Sequence, residues 1–184
     1  MTKSLRARRR ATLLGSCMLL GLTTVQAHAA AGAPSLIPLP ASYQADGGKD
    51  FVLKHAARVG GNDEASRRVA AQFVELLKQN GGPTLAVAEN ANKAQIRFRL
   101  DPSATHPAEA YTLKVSNTGI DVSASDDRGL FYGAVTAAQL LTDQTPGEVA
   151  AATITDAPRF VWRGLMLDSA RHFQSMDEIK KLLD

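Results

Sequence analysis

The sequence predicts an α+β fold: a mostly antiparallel sheet with helices packed on one face, followed by the first β-strand and α-helix of an incomplete (β/α)8 barrel. Three observations carry this. Residues 111–115 and 120–124 alternate apolar and polar side chains at the period of half-buried strands. Two other stretches, after Asp63 and Asp127, place apolar residues at helical spacing. Beyond Asp156-Ala157-Pro158, an apolar run ends on an acid, a short polar loop follows, and a capped helix begins. A parallel strand delivers polar groups to the mouth of an α/β barrel in that order. The chain therefore divides into a signal peptide over 1–29, an α+β domain over 30–157 and a first βα unit of a truncated barrel over 158–184.

The leader comes first. Lys3, Arg6, Arg8, Arg9 and Arg10 form a basic head, residues 11–25 are mostly apolar, and Ala27-His28-Ala29 offers a small-x-small cleavage site. The apolar core is too short to span a bilayer, so this reads as a secretory signal and the protein as exported, to periplasm or medium. Arg9-Arg10 only weakly resembles a twin-arginine signal, and Cys17 in Leu14-Gly15-Ser16-Cys17 sits inside the apolar core instead of after it, which favours ordinary export over lipidation. Cys17 is the only cysteine, so cleavage at Ala29 leaves no thiol or disulfide.

Cleavage also changes the charge. The whole sequence has 21 basic and 18 acidic residues, net +3. Five of the basic residues and no acids precede residue 30, leaving 16 against 18 and a net charge of −2. No basic patch remains to suggest nucleic acid or an anionic membrane as a partner. Arg97 and Arg99 alternate with Ile96, Phe98 and Leu100 and read as the solvated face of a strand.

About 155 residues remain, one domain of ordinary size. Pro34, Pro38 and Pro40 make residues 30–42 an extended lead-in. Phe51-Val52-Leu53 and Ala57-Arg58-Val59 are short strand candidates. Asn62 or Asp63 can cap a helix to about Asn80, with Val69, Phe73, Leu76 and Leu77 on one face and Gly81-Gly82 terminating it. Strands follow at 85–88, 95–100, 111–115 and 120–124, the last two joined by an Asn117-Thr118-Gly119 hairpin loop. A second helix spans 128–141, with Leu130, Ala134, Ala137 and Leu141 buried. Asp126-Asp127 before it serve as cap and dipole partners, and Gly129 and Gly133 allow close packing. One more strand falls near 152–155. Residues 160–168 read as a strand and Ser175-Met176-Asp177-Glu178 as a capping box, with Ile179, Leu182 and Leu183 as the apolar face of the helix it starts.

No metal-ligand spacing, phosphate loop or nucleophile elbow is present, so no metal or cofactor is expected. His55, His106 and His172 are scattered, and His106 beside Pro107 reads as a loop residue. The residues placed for chemistry are Asp168, Arg171 and His172, after the barrel strand. One reading is an ordinary salt bridge between Asp168 and Arg171. The other is a sugar site, since a guanidinium donates two parallel hydrogen bonds to neighbouring hydroxyls. Asp168 would then fix the guanidinium, and His172 would pack behind it or support it.

The run from Pro158 to Phe173, Pro-Arg-Phe-Val-Trp-Arg-Gly-Leu-Met-Leu-Asp-Ser-Ala-Arg-His-Phe, resembles the opening of the catalytic barrel in family 20 glycoside hydrolases, the β-N-acetylhexosaminidases. Leu36-Ile37-Pro38-Leu39-Pro40, Glu109-Ala110-Tyr111-Thr112-Leu113, Gly129-Leu130-Phe131-Tyr132-Gly133-Ala134 and Gln139-Leu140-Leu141 are similar to that family's preceding domain. The resemblance implies that Arg171 binds hydroxyls of a terminal N-acetylhexosamine, with Asp168 and His172 behind it. It implies substrate-assisted retaining hydrolysis, in which the sugar's 2-acetamido oxygen attacks the anomeric carbon. It also implies that the Asp-Glu pair orienting the acetamido group and protonating the leaving oxygen lies on a later strand. No catalytic residue is then assigned in this chain, which is expected to be a fragment inactive alone. Asp177-Glu178 has the right letters but belongs to a helix start. The partner is an N-acetylhexosamine-containing oligosaccharide. The alternatives are a non-catalytic module that binds glycan or protein through the α+β domain, and another N-acetylglucosaminidase family with a similar front domain.

Overall fold

The computed structural model describes residues 34–103, 107–143 and 145–183; the expected leader over 1–29, Cys17, the start of the lead-in and His106 lie outside them. In chain order the elements are β1 (Ser42–Ala45), β2 (Phe51–Val52), β3 (Arg58–Gly61), α1 (Glu64–Gln79), β4 (Ala86–Val87), a 3-10 turn (Ala91–Lys93), β5 (Ile96–Leu100), β6 (Tyr111–Ser116), β7 (Gly119–Ala124), α2 (Asp127–Thr142), β8 (Glu148–Val149), β9 (Ala152–Asp156) and α3 (Met176–Leu183).

Alternation builds the sheet. Tyr111, Leu113 and Val115 of β6 are buried while Lys114 is exposed, and Ile120, Val122 and Ala124 of β7 are buried opposite them. Leu113 faces Val122 and Val115 faces Ile120 across the antiparallel hairpin. The seven strands run in the order β1-β9-β6-β7-β5-β3-β4, with β2 and β8 forming a separate pair. Helices α1 and α2 lie side by side and pack on the apolar face. There Phe73 of α1 meets Phe98 of β5, ring centroids 5.3 Å apart. The opposite face is polar: Arg97, Arg99, Thr112, Lys114, Asp121 and Ser123 line a shallow concavity of about 550 Å³.

The α+β reading holds, with helices on one face, and the sheet is more evenly mixed than alternation alone suggested. Four ladders are antiparallel and three, β3–β4, β3–β5 and β5–β7, are parallel. For β3–β4 the cause is α1, because a helix between two strands carries the chain across the sheet and returns it in the same direction; β5 and β7 are parallel with β6 between them in sequence. Among the described residues β1 and β8 are further strands without a sequence signal, β1 closing one sheet edge against β9.

The helix caps follow the chemistry expected. Asp63 accepts from the Ser66 N–H at 2.8 Å while the Ser66 hydroxyl accepts from the Asp63 N–H at 3.0 Å, a reciprocal capping box. Asp126 accepts from the Gly129 N–H at 2.8 Å. Close packing explains the glycines of α2. A Cβ on Gly129 would stand 2.4 Å from the Ala110 carbonyl oxygen, and one on Gly133 would stand 2.4 Å from Val122 Cγ1.

The strand expected over 160–168 is not formed among the described residues. The apolar run is there, but a ladder needs a neighbouring backbone, and no described strand pairs with it. The helix expected after it is present as α3.

Candidate functional site

The loop after the apolar run is folded around one carboxylate. Asp168 accepts from the backbone N–H groups of Ala170 and Arg171, each at 3.1 Å, which turns the chain back on itself. Its second oxygen holds Arg171 Nε at 2.6 Å. The Arg171 side chain is 85% exposed, and its Nη nitrogens make no hydrogen bond among the described residues. One edge of the guanidinium is thus spent on Asp168 and the other faces solvent. An exposed pair of this kind contributes little to stability, about 0–1 kcal/mol. Its consequence is geometric: with Nε on Asp168, the Nη donors are left to point away from the carboxylate. His172 is exposed and joins neither partner among the described residues.

Helix α3 begins just beyond. The Glu178 carboxylate accepts from the Ser175 N–H at 2.8 Å and from its hydroxyl at 2.9 Å. These bonds hold the carboxyl below the usual carboxylate range. Glu178 is a capping group, as its place in the sequence indicated.

A second cluster joins residues 158–164 to the α+β domain. Arg163 Nη2 donates to Glu109 Oε1 at 2.9 Å and to the Tyr132 hydroxyl at 3.1 Å, and its guanidinium lies 5.9 Å from the Tyr132 ring centre. Its other terminal nitrogen donates to the Phe160 carbonyl. Arg128 adds a contact to Glu109 at 3.6 Å. Glu109 has φ 65°, an uncommon left-handed conformation for this residue type, and its N–H donates to Asp126 at 2.9 Å. Burial pushes the Asp126 carboxyl up, but the N–H groups of Gly129 and Glu109 and the charge of Arg128 outweigh it and hold the group low. Beside the cluster, Leu39, Tyr111, Val135, Pro158 and Phe160 help line a cleft of about 370 Å³. Burial pushes the Tyr111 hydroxyl, bonded to Thr136 at 2.6 Å, up to about 12.

Arg163, Glu109 and Tyr132 were not singled out from the sequence. Glu109 and Arg163 are 54 residues apart, beyond any local pattern. The reading of Arg97 as a solvated strand residue needs one addition: Asp121 faces it across the parallel β5–β7 ladder and binds its Nε at 2.6 Å. Among the described residues no group of His, Cys, Asp or Glu is arranged to hold a metal ion, and no helix is long and apolar enough to cross a membrane.

The structure thus places an α+β domain before an exposed loop in which Asp168 holds Arg171, and the comparisons give the class of protein to which this arrangement belongs. The model "Glycosyl hydrolase family 20, domain 2" matches residues 33–157, and "Glycosyl hydrolase family 20, catalytic domain" matches residues 160–184. The chain belongs to glycosyl hydrolase family 20. It is 33% identical over 155 residues to a β-N-acetylhexosaminidase of Cellulomonas fimi, covering 81% of this chain and 31% of that protein. Among solved structures, the family 20 exo-β-N-acetylglucosaminidase of Vibrio harveyi bound to N-acetylglucosamine matches with TM-score 0.69 and 32% identity, covering 80% of this chain and 23% of that one. The Streptomyces plicatus N-acetyl-β-hexosaminidase matches with TM-score 0.65 and 30% identity, covering 80% and 31%. The chain thus spans about a third or less of the length of these relatives.

Proposed function

We propose that this chain is the front of an exported β-N-acetylhexosaminidase that removes terminal non-reducing N-acetylglucosamine or N-acetylgalactosamine from glycans by substrate-assisted retaining hydrolysis. The observation that carries the reading is Arg171, pinned at Nε by Asp168 with its remaining donors open to solvent, inside the stretch matched by the catalytic-domain model. In this reading Arg171 takes hydroxyls of the terminal sugar and Asp168 fixes the guanidinium. The 2-acetamido oxygen serves as the nucleophile, in place of the enzyme carboxylate that most retaining glycosidases use. The proton for the leaving oxygen comes from a glutamate outside this chain, paired with an aspartate that orients the acetamido group.

The wide exposure of Val161, Met166 and Phe173 supports this. Large apolar side chains left this exposed call for a covering surface, which the later strands and helices of a barrel would supply.

The test compares two proteins on a chromogenic N-acetylglucosaminide. The full-length enzyme turns it over and the purified 184-residue chain does not. Turnover by the chain alone overturns the division of labour. Tight glycan binding by residues 30–157 alone would favour a binding module.

A further inference from the structure

We propose that Arg163, Glu109 and Tyr132 form a positioning clasp through which the α+β domain sets where the Asp168–Arg171 loop stands relative to the sugar. This rests on the sugar-gripping reading of Arg171. Residues 158–176 have few attachments: Val161, Trp162, Met166, Phe173 and Met176 are broadly exposed, and Arg159 reaches only the Leu39 carbonyl at 3.4 Å. Arg163 is the firm one. Its guanidinium is tied backwards to Phe160 of its own segment and sideways to Glu109 and Tyr132 of the domain.

The acceptors are themselves held. Tyr132 is part of α2, and its hydroxyl donates to Glu109 Oε1 at 3.4 Å while accepting from Arg163, so the three polar groups close a triangle. Glu109 is largely buried, with a side chain 15% exposed against 39% for Arg163. Its backbone is fixed to Asp126, the residue that caps α2. The first turns of α2 thus form a rigid seat, and Arg163 is the hook that places the following residues on it. Asp168 and Arg171 lie a few residues further on the same segment, and a Cβ on Gly164, just after the hook, would point into open space. A misplacement of about 1 Å in a group that positions substrate is enough to cost catalytic efficiency.

Two readouts test this. In the 184-residue chain Trp162 is the only tryptophan and stands beside the hook, 87% exposed. Arg163→Ala lowers its fluorescence anisotropy, and Arg163→Lys, which keeps the charge and loses the fork, falls between. In the full-length enzyme Glu109→Gln and Arg163→Ala raise KM for a chromogenic N-acetylglucosaminide about tenfold with a smaller change in kcat. Arg163→Lys recovers part of the KM. The double variant costs no more than the larger single one, because both break one linkage. Unchanged Trp162 anisotropy overturns the clasp. So does an active enzyme whose KM stays put, or whose loss falls wholly on kcat together with a lowered melting temperature. A wild-type enzyme without hexosaminidase activity overturns the functional reading itself, and the Trp162 arm then still decides whether the clasp holds the segment.

Discussion

Arg163 and Arg171 belong to one short stretch of chain and use the same group differently. Arg163 turns its donors inward to a largely buried carboxylate and a tyrosine hydroxyl, whereas Arg171 is held at Nε and turns its remaining donors outward. The Asp168–Arg171 pair was legible because both partners lie within one turn of chain, where spacing alone brings them together. The Glu109–Arg163 pair was not, since only the fold brings them into contact. Tyr111 gives a direct residue-scale prediction. Its hydroxyl is pushed up to about 12 by burial, so in a spectroscopic titration the last tyrosine to ionise does so near that value, and Tyr111→Phe removes the step. The unfolded tyrosine ionises near its ordinary value of about 10. The group therefore contributes stability below that pH and loses it between there and about 12, a decline that denaturant melts across the range will show.

At the scale of elements, the helices and central strands were legible because each has its own period, and α1 and α2 start within a residue of the expected caps. The edge strands were not. Ser42–Ala45 and Glu148–Val149 alternate too briefly to register, and both exist because a neighbouring strand offers its backbone. The apolar run over 160–168 shows the converse, a strand-like pattern without a ladder. Two predictions belong here. Gly129→Ala is destabilising by about 1–3 kcal/mol in chemical denaturation, although alanine is the better helix former, because the added methyl meets the Ala110 carbonyl instead of a movable side chain. Asp63 and Asp126 both have lowered pKa values: burial raises each, and the N–H bonds at the helix starts outweigh it. Their contribution is complete above the unfolded carboxyl value of about 4 and is lost as pH falls below it. Asp126→Asn keeps a cap acceptor but has no charge to titrate, so its melting temperature declines less steeply below that pH than the wild type's.

At the scale of the whole molecule, the described residues concentrate their buried apolar surface in one region. Every residue of the hydrophobic cluster lies between Leu36 and Ile154, and residues 160–173 are exposed. Deleting residues 158–184 is therefore expected to leave a cooperatively melting domain, with a midpoint within a few degrees of the parent chain by circular dichroism. A shift of more than about 10 °C would mean the segment carries core energy that its exposure denies. The buried core and the exposed segment that carries Arg171 are thus separate parts of the chain. The central claim is that Arg171 grips the terminal sugar. A charged donor to a hydroxyl contributes about 1.5–3 kcal/mol, which corresponds to about tenfold or more in affinity. The most direct test is the steady-state kinetics of Arg171→Ala in the full-length enzyme on a chromogenic N-acetylglucosaminide. The account predicts KM raised at least about tenfold with the melting temperature unchanged; kinetics indistinguishable from wild type would contradict it.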